Sequence, residues 1–141
     1  MDINQISEFI TNHWALFVSL AVILVLLIGG EIQRLAGGTK HIDSQEATRL
    51  INHNDAVMID IRDDGQFRSG HILNAINMPK DKLDAEVGKL KNDKPVIAYC
   101  RTGQQSAGFC SRLRKKGFQE VYNLKGGIMA WRNANLPITK K

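Results

Sequence analysis

Residues 96–106 read Val96-Ile97-Ala98-Tyr99-Cys100-Arg101-Thr102-Gly103-Gln104-Gln105-Ser106. A short apolar run ends in a cysteine, passes through a polar turn containing glycine and enters a stretch with helical spacing. Val96 to Tyr99, opened by Pro95, suits a buried parallel strand. Ala107, Cys110 and Leu113 then share one side of a helix that continues to Lys116 and ends at Gly117. In a parallel sheet, ligands sit at the carboxyl ends of the strands, and a loop entering a helix there turns several backbone N–H groups inward. The segment therefore predicts an anion cradle with a thiol at its base. Moving a thiol from a pKa of about 8.5 to about 6.5 takes roughly 2.7 kcal/mol and raises the thiolate share at pH 7 from roughly 3% to about three quarters. Cys100 is accordingly the candidate nucleophile. The alternative, a small buried hydrophobe, leaves the loop without a purpose. Cys110 falls on the apolar side of the helix and is read as core.

Working outward, strands and helices alternate. Asp43 with Glu46 three residues later predicts a capping box, followed by a helix of about ten residues with Ala47, Leu50 and Ile51 on its apolar stripe. Ala56 to Ile61 is a strand with Asp60 and Arg62 at its exit. Gly65 and Gly70 punctuate the stretch after it. Ala75 to Met78 is a short strand stopped by Pro79. Lys80 to Leu90 predicts a helix with Leu83, Val87 and Leu90 on one face. Val121 and Tyr122 form a last short strand, and Gly126 and Gly127 turn the chain into a final helix carrying Ile128 and Trp131. This rhythm indicates an α/β domain with a mainly parallel sheet.

Composition agrees with one packed domain. The chain has 141 residues, 43% hydrophobic and 23% charged, with only 3 Pro, which excludes a disordered or collagen-like polymer. Residues 41–141 hold 17 basic and 11 acidic side chains, against 2 and 3 over residues 1–40. The excess centres on Arg112, Arg114, Lys115 and Lys116 and on the terminal Lys140 and Lys141. This cluster reads either as attraction to anionic lipid, at about 1 kcal/mol per residue close to a bilayer, or as a solvated helix face. Nucleic acid is not the expected partner. The two Cys argue against a structural disulfide, and the four His at positions 13, 41, 53 and 71 show no metal-ligand spacing with them, so a zinc site is not expected.

The amino-terminal region differs in kind. From Phe9 to Gly30 there is no Asp, Glu, Lys or Arg across 22 residues. As a helix they extend roughly 33 Å, enough for a hydrocarbon core of about 30 Å. A cleaved signal peptide is disfavoured because Asp2 and Glu8 precede the run with no Lys or Arg. A helix apolar on every face is also too much for a domain of this size to bury. Arg34, Lys40 and Arg49 come after the run, so the positive-inside rule places the carboxyl-terminal domain on the cytoplasmic side, as a single-pass anchor of a bacterial inner membrane with its N-terminus outside. The expected organisation is a tail over 1–8, a transmembrane helix over 9–30, a linker over 31–38, a domain over 39–138 and a basic tail over 139–141.

Four separated motifs then resemble the rhodanese-like domains. They are Asp60-Ile61-Arg62 followed by Phe67; Gly70-His71-Ile72 with Asn74-Ala75-Ile76-Asn77 and Pro79; the Cys100 loop; and Leu124-Lys125-Gly126-Gly127-Ile128 with Trp131. With the anchor, the layout is similar to membrane-tethered single-domain bacterial members. The resemblance implies a five-stranded parallel sheet flanked by helices and Cys100 as the sulfur-carrying residue. It further implies ping-pong transfer of sulfane sulfur from thiosulfate or a persulfide donor to a thiol, protein or cyanide acceptor, with no metal or organic cofactor required. Arg101, Thr102, Gly103, Gln104 and Gln105 would bind the donor. Arg62 would either attract it or pair with Asp63 or Asp64. Asp60 and His71 are read as structural residues held by hydrogen bonds. Many members carry Arg late in the loop where this chain has Gln105, which disfavours thiosulfate relative to a persulfide. Phosphatase relatives need Arg six positions after the cysteine, where this chain has Ser106, which disfavours phosphatase chemistry. The alternative function is a membrane-tethered interaction module that docks integral membrane proteins, with Ala15 and Ser19 as a small-residue pair for helix approach.

Overall fold

The computed structural model describes residues 2–140, the side chains of 31–37 excepted, and falls into two units, residues 1–38 and 39–141. The first unit contains α1 (Ile3–Asn12) and α2 (Trp14–Gly37). The single helix expected over 9–30 is divided at His13, where the two helices bend by 75°. His13 has φ −121° and ψ 25°, outside helical values, and its N–H closes the first helix on the Phe9 carbonyl. Among the described residues no single helix is long and apolar enough to cross a membrane, whereas Ile3–Asn12 and Trp14–Gly30 together satisfy both conditions. α2 continues through residues expected to form a linker, a stretch with no proline to stop it.

The second unit is built on a five-stranded sheet. Its strands are β1 (Lys40–Ile42), β2 (Val57–Asp60), β4 (Ile76–Asn77), β5 (Val96–Tyr99) and β6 (Val121–Leu124), in the order β1-β6-β5-β2-β4. Every pairing is parallel. β5, in the middle, is buried throughout because helices cover both faces. Ile59, Val96 and Ala98 face a core completed by Leu83, Phe109, Cys110 and Leu113. Met58, Ile97 and Tyr99 face a second core with Ala47, Leu50, Ile128 and Trp131. The period-two alternation of the strands thus supplies both layers.

The helices are α3 (Ser44–Asn54), α4 (Asp64–Ser69), α5 (Leu83–Glu86), α6 (Gln104–Lys115) and α7 (Gly127–Asn133). Asp43 caps α3 by accepting from the Glu46 N–H at 2.8 Å, but the reciprocal half of the expected box does not form because Glu46 pairs with Arg49. The helix expected over Lys80 to Leu90 is instead a 3-10 turn over Lys80–Lys82, the single turn α5 and a second 3-10 turn over Val87–Lys89. No side chain caps α5, and Gly88 weakens its continuation, yet Leu83 still buries completely. A two-stranded antiparallel ribbon joins β3 (His71–Ile72) to β7 (Ile138–Thr139), so the domain continues into the segment expected to be a basic tail. Lys141 lies outside the described residues. The basic cluster on α6 is engaged by acid: Arg112 and Lys116 both reach Asp84, at 3.2 and 2.7 Å.

Candidate active site

The site forms where β5 delivers Cys100 into the turn before α6. Gly103 is in the left-handed region at φ +89°, where a Cβ would lie 2.9 Å from the Leu124 carbonyl oxygen. Only glycine accepts both conditions without strain. The turn folds back so that the Gly103 N–H donates to Cys100 Sγ at 3.1 Å, and the Ser106 hydroxyl approaches the same atom at 3.4 Å. Burial opposes ionisation of this thiol. The hydrogen bonds from the Ser106 hydroxyl and from the backbone of Ser106, Thr102 and Gly103 outweigh it and hold the Cys100 pKa below the ordinary cysteine value. Cys110 shows the opposite balance. It is fully buried, its Sγ faces the Tyr122 carbonyl at 3.3 Å, and burial pushes its pKa up to about 12.

A second helix braces the loop. The N–H groups of Ile128 and Met129, in the first turn of α7, donate to the carbonyl oxygens of Cys100 and Arg101 at 3.0 and 3.3 Å. That approach requires Gly127, where a Cβ would lie 2.3 Å from the Cys100 carbonyl oxygen. Trp131 is buried in the same helix and anchors it by donating from Nε1 to the Pro137 carbonyl at 3.1 Å.

Cys100 is 4% exposed and sits in the wall of a cavity of about 470 Å³. The cavity brings together Arg62, Arg101, Thr102, Gln104 and Gln105 from the sequence-expected set, with Gly103 contributing through its backbone. Lys80, Asp81 and Gln66 are additional lining that the linear pattern did not single out, and Asp63, expected only as a partner for Arg62, lines the cavity too. Arg62 pairs with neither Asp63 nor Asp64. Its Nη2 lies 2.7 Å from Asp60 Oδ2 and also donates to the Gly70 carbonyl at 2.8 Å. Asp60 is fully buried at the end of β2, and among the described residues the cation its carboxylate meets is Arg62, two residues on. Burial works against the Arg62 charge, but the Asp60 carboxylate outweighs it and raises the guanidinium pKa. His71 Nδ1 lies 2.9 Å from the Phe67 carbonyl, and its ring stacks on Phe67 at 3.7 Å, contacts that suit a hydrogen-bonded structural residue.

Sequence reasoning missed a polar relay behind the thiol, buried at Ser106 and Asn123. The Ser106 hydroxyl donates to Asn123 Oδ1, and Asn123 Nδ2 contacts both the Gly103 carbonyl at 2.8 Å and His41 Nδ1 at 3.0 Å. The relay links β1, β6 and the Cys100 loop. Its one linear signal is Asn123 itself, a polar residue within an otherwise apolar strand.

The parallel sheet, the strand-end cysteine and the backbone-lined cradle define a rhodanese-type site. The Rhodanese-like domain family model matches residues 43–134, and the chain belongs to that family. It is 36% identical to the protein YibN of Escherichia coli K12 over 140 residues, covering 97% of this chain and 98% of that one. It is also 36% identical to the thiosulfate sulfurtransferase GlpE of Vibrio cholerae over 98 residues, covering 70% of this chain and 92% of that one. Among solved structures, the rhodanese-like domain of the Alr3790 protein from Anabaena superposes with a TM-score of 0.66 at 26% identity, covering 72% and 79% of the two chains. These relatives support a rhodanese-type transferase with a sulfur donor and a sulfur acceptor.

Proposed function

We propose that this protein carries sulfane sulfur on Cys100 and transfers it in two half-reactions while tethered to a membrane. The observation that carries the proposal is the cradle around Cys100 Sγ, in which the Gly103 N–H at 3.1 Å and the Ser106 hydroxyl at 3.4 Å favour the thiolate. In the first half-reaction the thiolate attacks the outer sulfur of the donor. A Cys100–S bond forms, the donor's S–S bond breaks, and sulfite or a thiolate leaves with the bonding pair. In the second, an acceptor thiolate or cyanide attacks the outer sulfur of the persulfide and Cys100 leaves as thiolate. The inward N–H groups stabilise the anion on either sulfur. Thr102, Gln104, Gln105 and Arg101 line the donor's cavity. Arg62, paired with Asp60, shapes the wall more than it supplies free charge. The uncharged Gln105 favours a persulfide over thiosulfate.

The apolar helix pair supports the tether, with the polar α1 start outside and the domain on the cytoplasmic face of a bacterial inner membrane. Similarity to YibN over 97% of the chain includes this amino-terminal region. Lipid is then a partner of the span, and the acceptor is a thiol or protein reached from the membrane.

Intact-mass analysis tests the chemistry. After incubation with thiosulfate or glutathione persulfide without reductant, the wild type should gain about 32 Da, removable by cyanide, and Cys100→Ser should gain nothing. A wild type that gains no mass with either donor overturns the proposal and leaves a tethered docking module.

A further inference from the structure

A second cavity, of about 380 Å³, opens beside the one that holds Cys100. The two share Arg62, Gln66 and Arg101, so these side chains form a partition with a space on either side. Arg132 and Met129, both exposed on α7, line the second cavity and not the first.

The charge lining the two spaces differs. In the Cys100 cavity Asp63 and Asp81 offset Arg62, Lys80 and Arg101. The second cavity is lined by Arg62, Arg101 and Arg132 and by no carboxylate. Arg62 is neutralised from beneath by Asp60, but Arg101 and Arg132 take part in no ion pair among the described residues. Arg62 and Arg132 also converge on one backbone point. Arg62 Nη2 donates to the Gly70 carbonyl at 2.8 Å, and a Cβ at position 70 would lie 3.0 Å from Arg132 Nη2. Arg101 and Arg132 meet no carboxylate in the lining of this cavity, and an entering anion would supply the opposite charge. Planar guanidinium donors match a carboxylate in two-point geometry. Met129, 46% exposed, adds an apolar surface for a short carbon stem.

We propose that this second cavity is a carboxylate subsite, and that the sulfur donor is a low-molecular-weight persulfide bearing carboxylates several bonds from its sulfur. The inference rests on the sulfur-transfer reading and names the donor class for it. The outer sulfur enters the Cys100 cavity while a distal carboxylate crosses the partition to Arg101 and Arg132. In the transfer, RS–SH and the Cys100 thiolate give RS⁻ and Cys100–S–SH: one S–S bond breaks, one forms, and the departing thiolate keeps the bonding pair. Thiosulfate, whose charged group is bonded directly to the transferred sulfur, occupies the first cavity alone.

The test uses the full chain in detergent and tracks loading of Cys100 by intact mass at increasing concentrations of three donors: glutathione persulfide, inorganic hydrogen disulfide and thiosulfate. In Arg132→Gln the half-saturating concentration of glutathione persulfide should rise about tenfold, equivalent to about 1.4 kcal/mol, and at least about fivefold more than for the two donors without a carboxylate. Arg132→Lys should recover part of the loss. An equal shift for all three donors, or no shift for glutathione persulfide, overturns the subsite. A wild type loaded by thiosulfate alone also overturns it and leaves the sulfur-transfer reading standing. A wild type loaded by no donor overturns both.

Discussion

The hydroxyl of Ser106 lies between Cys100 Sγ, 3.4 Å away, and Asn123 Oδ1, to which it donates. A hydroxyl has one proton, so the thiolate and the amide oxygen compete for it. When Cys100 ionises, that proton is best placed on sulfur, and Asn123 retains its contacts to the Gly103 carbonyl and His41 through Nδ2.

Ser106→Ala should therefore raise the Cys100 pKa. Its hydroxyl is the foremost of the groups holding that pKa down against burial. Loss of a hydrogen bond worth about 1 kcal/mol should move the midpoint of thiol titration upward. The pH profile of iodoacetamide alkylation measures this, and an unchanged or lowered midpoint would show that the hydroxyl does not serve the thiolate.

The two cysteines should differ sharply in the native protein. Cys100 faces a cavity with a lowered pKa, whereas Cys110 is fully buried with a pKa pushed up to about 12. Because the native state keeps the Cys110 proton to higher pH than the unfolded chain does, this group costs stability progressively as pH rises above its ordinary value. Alkylation at pH 8 should add one label per native chain, at Cys100, and two after denaturation. Peptide mapping checks the site.

Gly127→Ala should disrupt the loop. The new methyl carbon would be placed 2.3 Å from the Cys100 carbonyl oxygen, at a backbone φ of +57°. Overpacking of this kind costs about 1–3 kcal/mol, and the loop must shift as well. Denaturant melts should show the loss, and sulfur loading should fall further than stability accounts for.

Arg62→Met should destabilise the domain by about 3–5 kcal/mol by leaving the Asp60 carboxylate buried without its cation. A loss below about 1 kcal/mol in urea unfolding would show that water reaches Asp60.

Removing residues 1–38 should release the protein from the membrane while leaving the first half-reaction unaltered. The domain over 39–141 is a separate compact unit with both of its cores intact. Carbonate extraction should keep the full chain in the pellet and the shortened chain in the supernatant. Retention of the shortened chain would place the attachment elsewhere.

The central parts of the fold were legible because their signals are local. Val96–Tyr99 is a strand as its apolar run implies, and α6 presents Cys110 and Leu113 to the core as their spacing requires. β1 left no such trace. It has three residues, of which Lys40 and His41 are exposed, and it exists because β6 pairs with it. α4 was hidden by Gly65, which reads as a breaker but occupies a helix capped by Asp63 on the Gln66 N–H at 2.7 Å. At the site, the cysteine and its loop are contiguous and could be recognised together. The Asn123–His41 contact spans 82 positions and arises only from the register of β1 against β6.

The bracing of the Cys100 and Arg101 carbonyls by α7 gives the sulfur a fixed address. Carriers that deliver cargo on a long flexible arm can serve a flat target at a distance. In the proposed reaction the cargo atom would be attached to a 4% exposed residue in a recess, on backbone clamped between two helices, so delivery would be by visit. The acceptor of that reaction would have to be slender enough to enter, either a small molecule or a thiol at the tip of a protruding loop. A cysteine lying flush with a broad protein surface would be excluded by shape, whatever its reactivity.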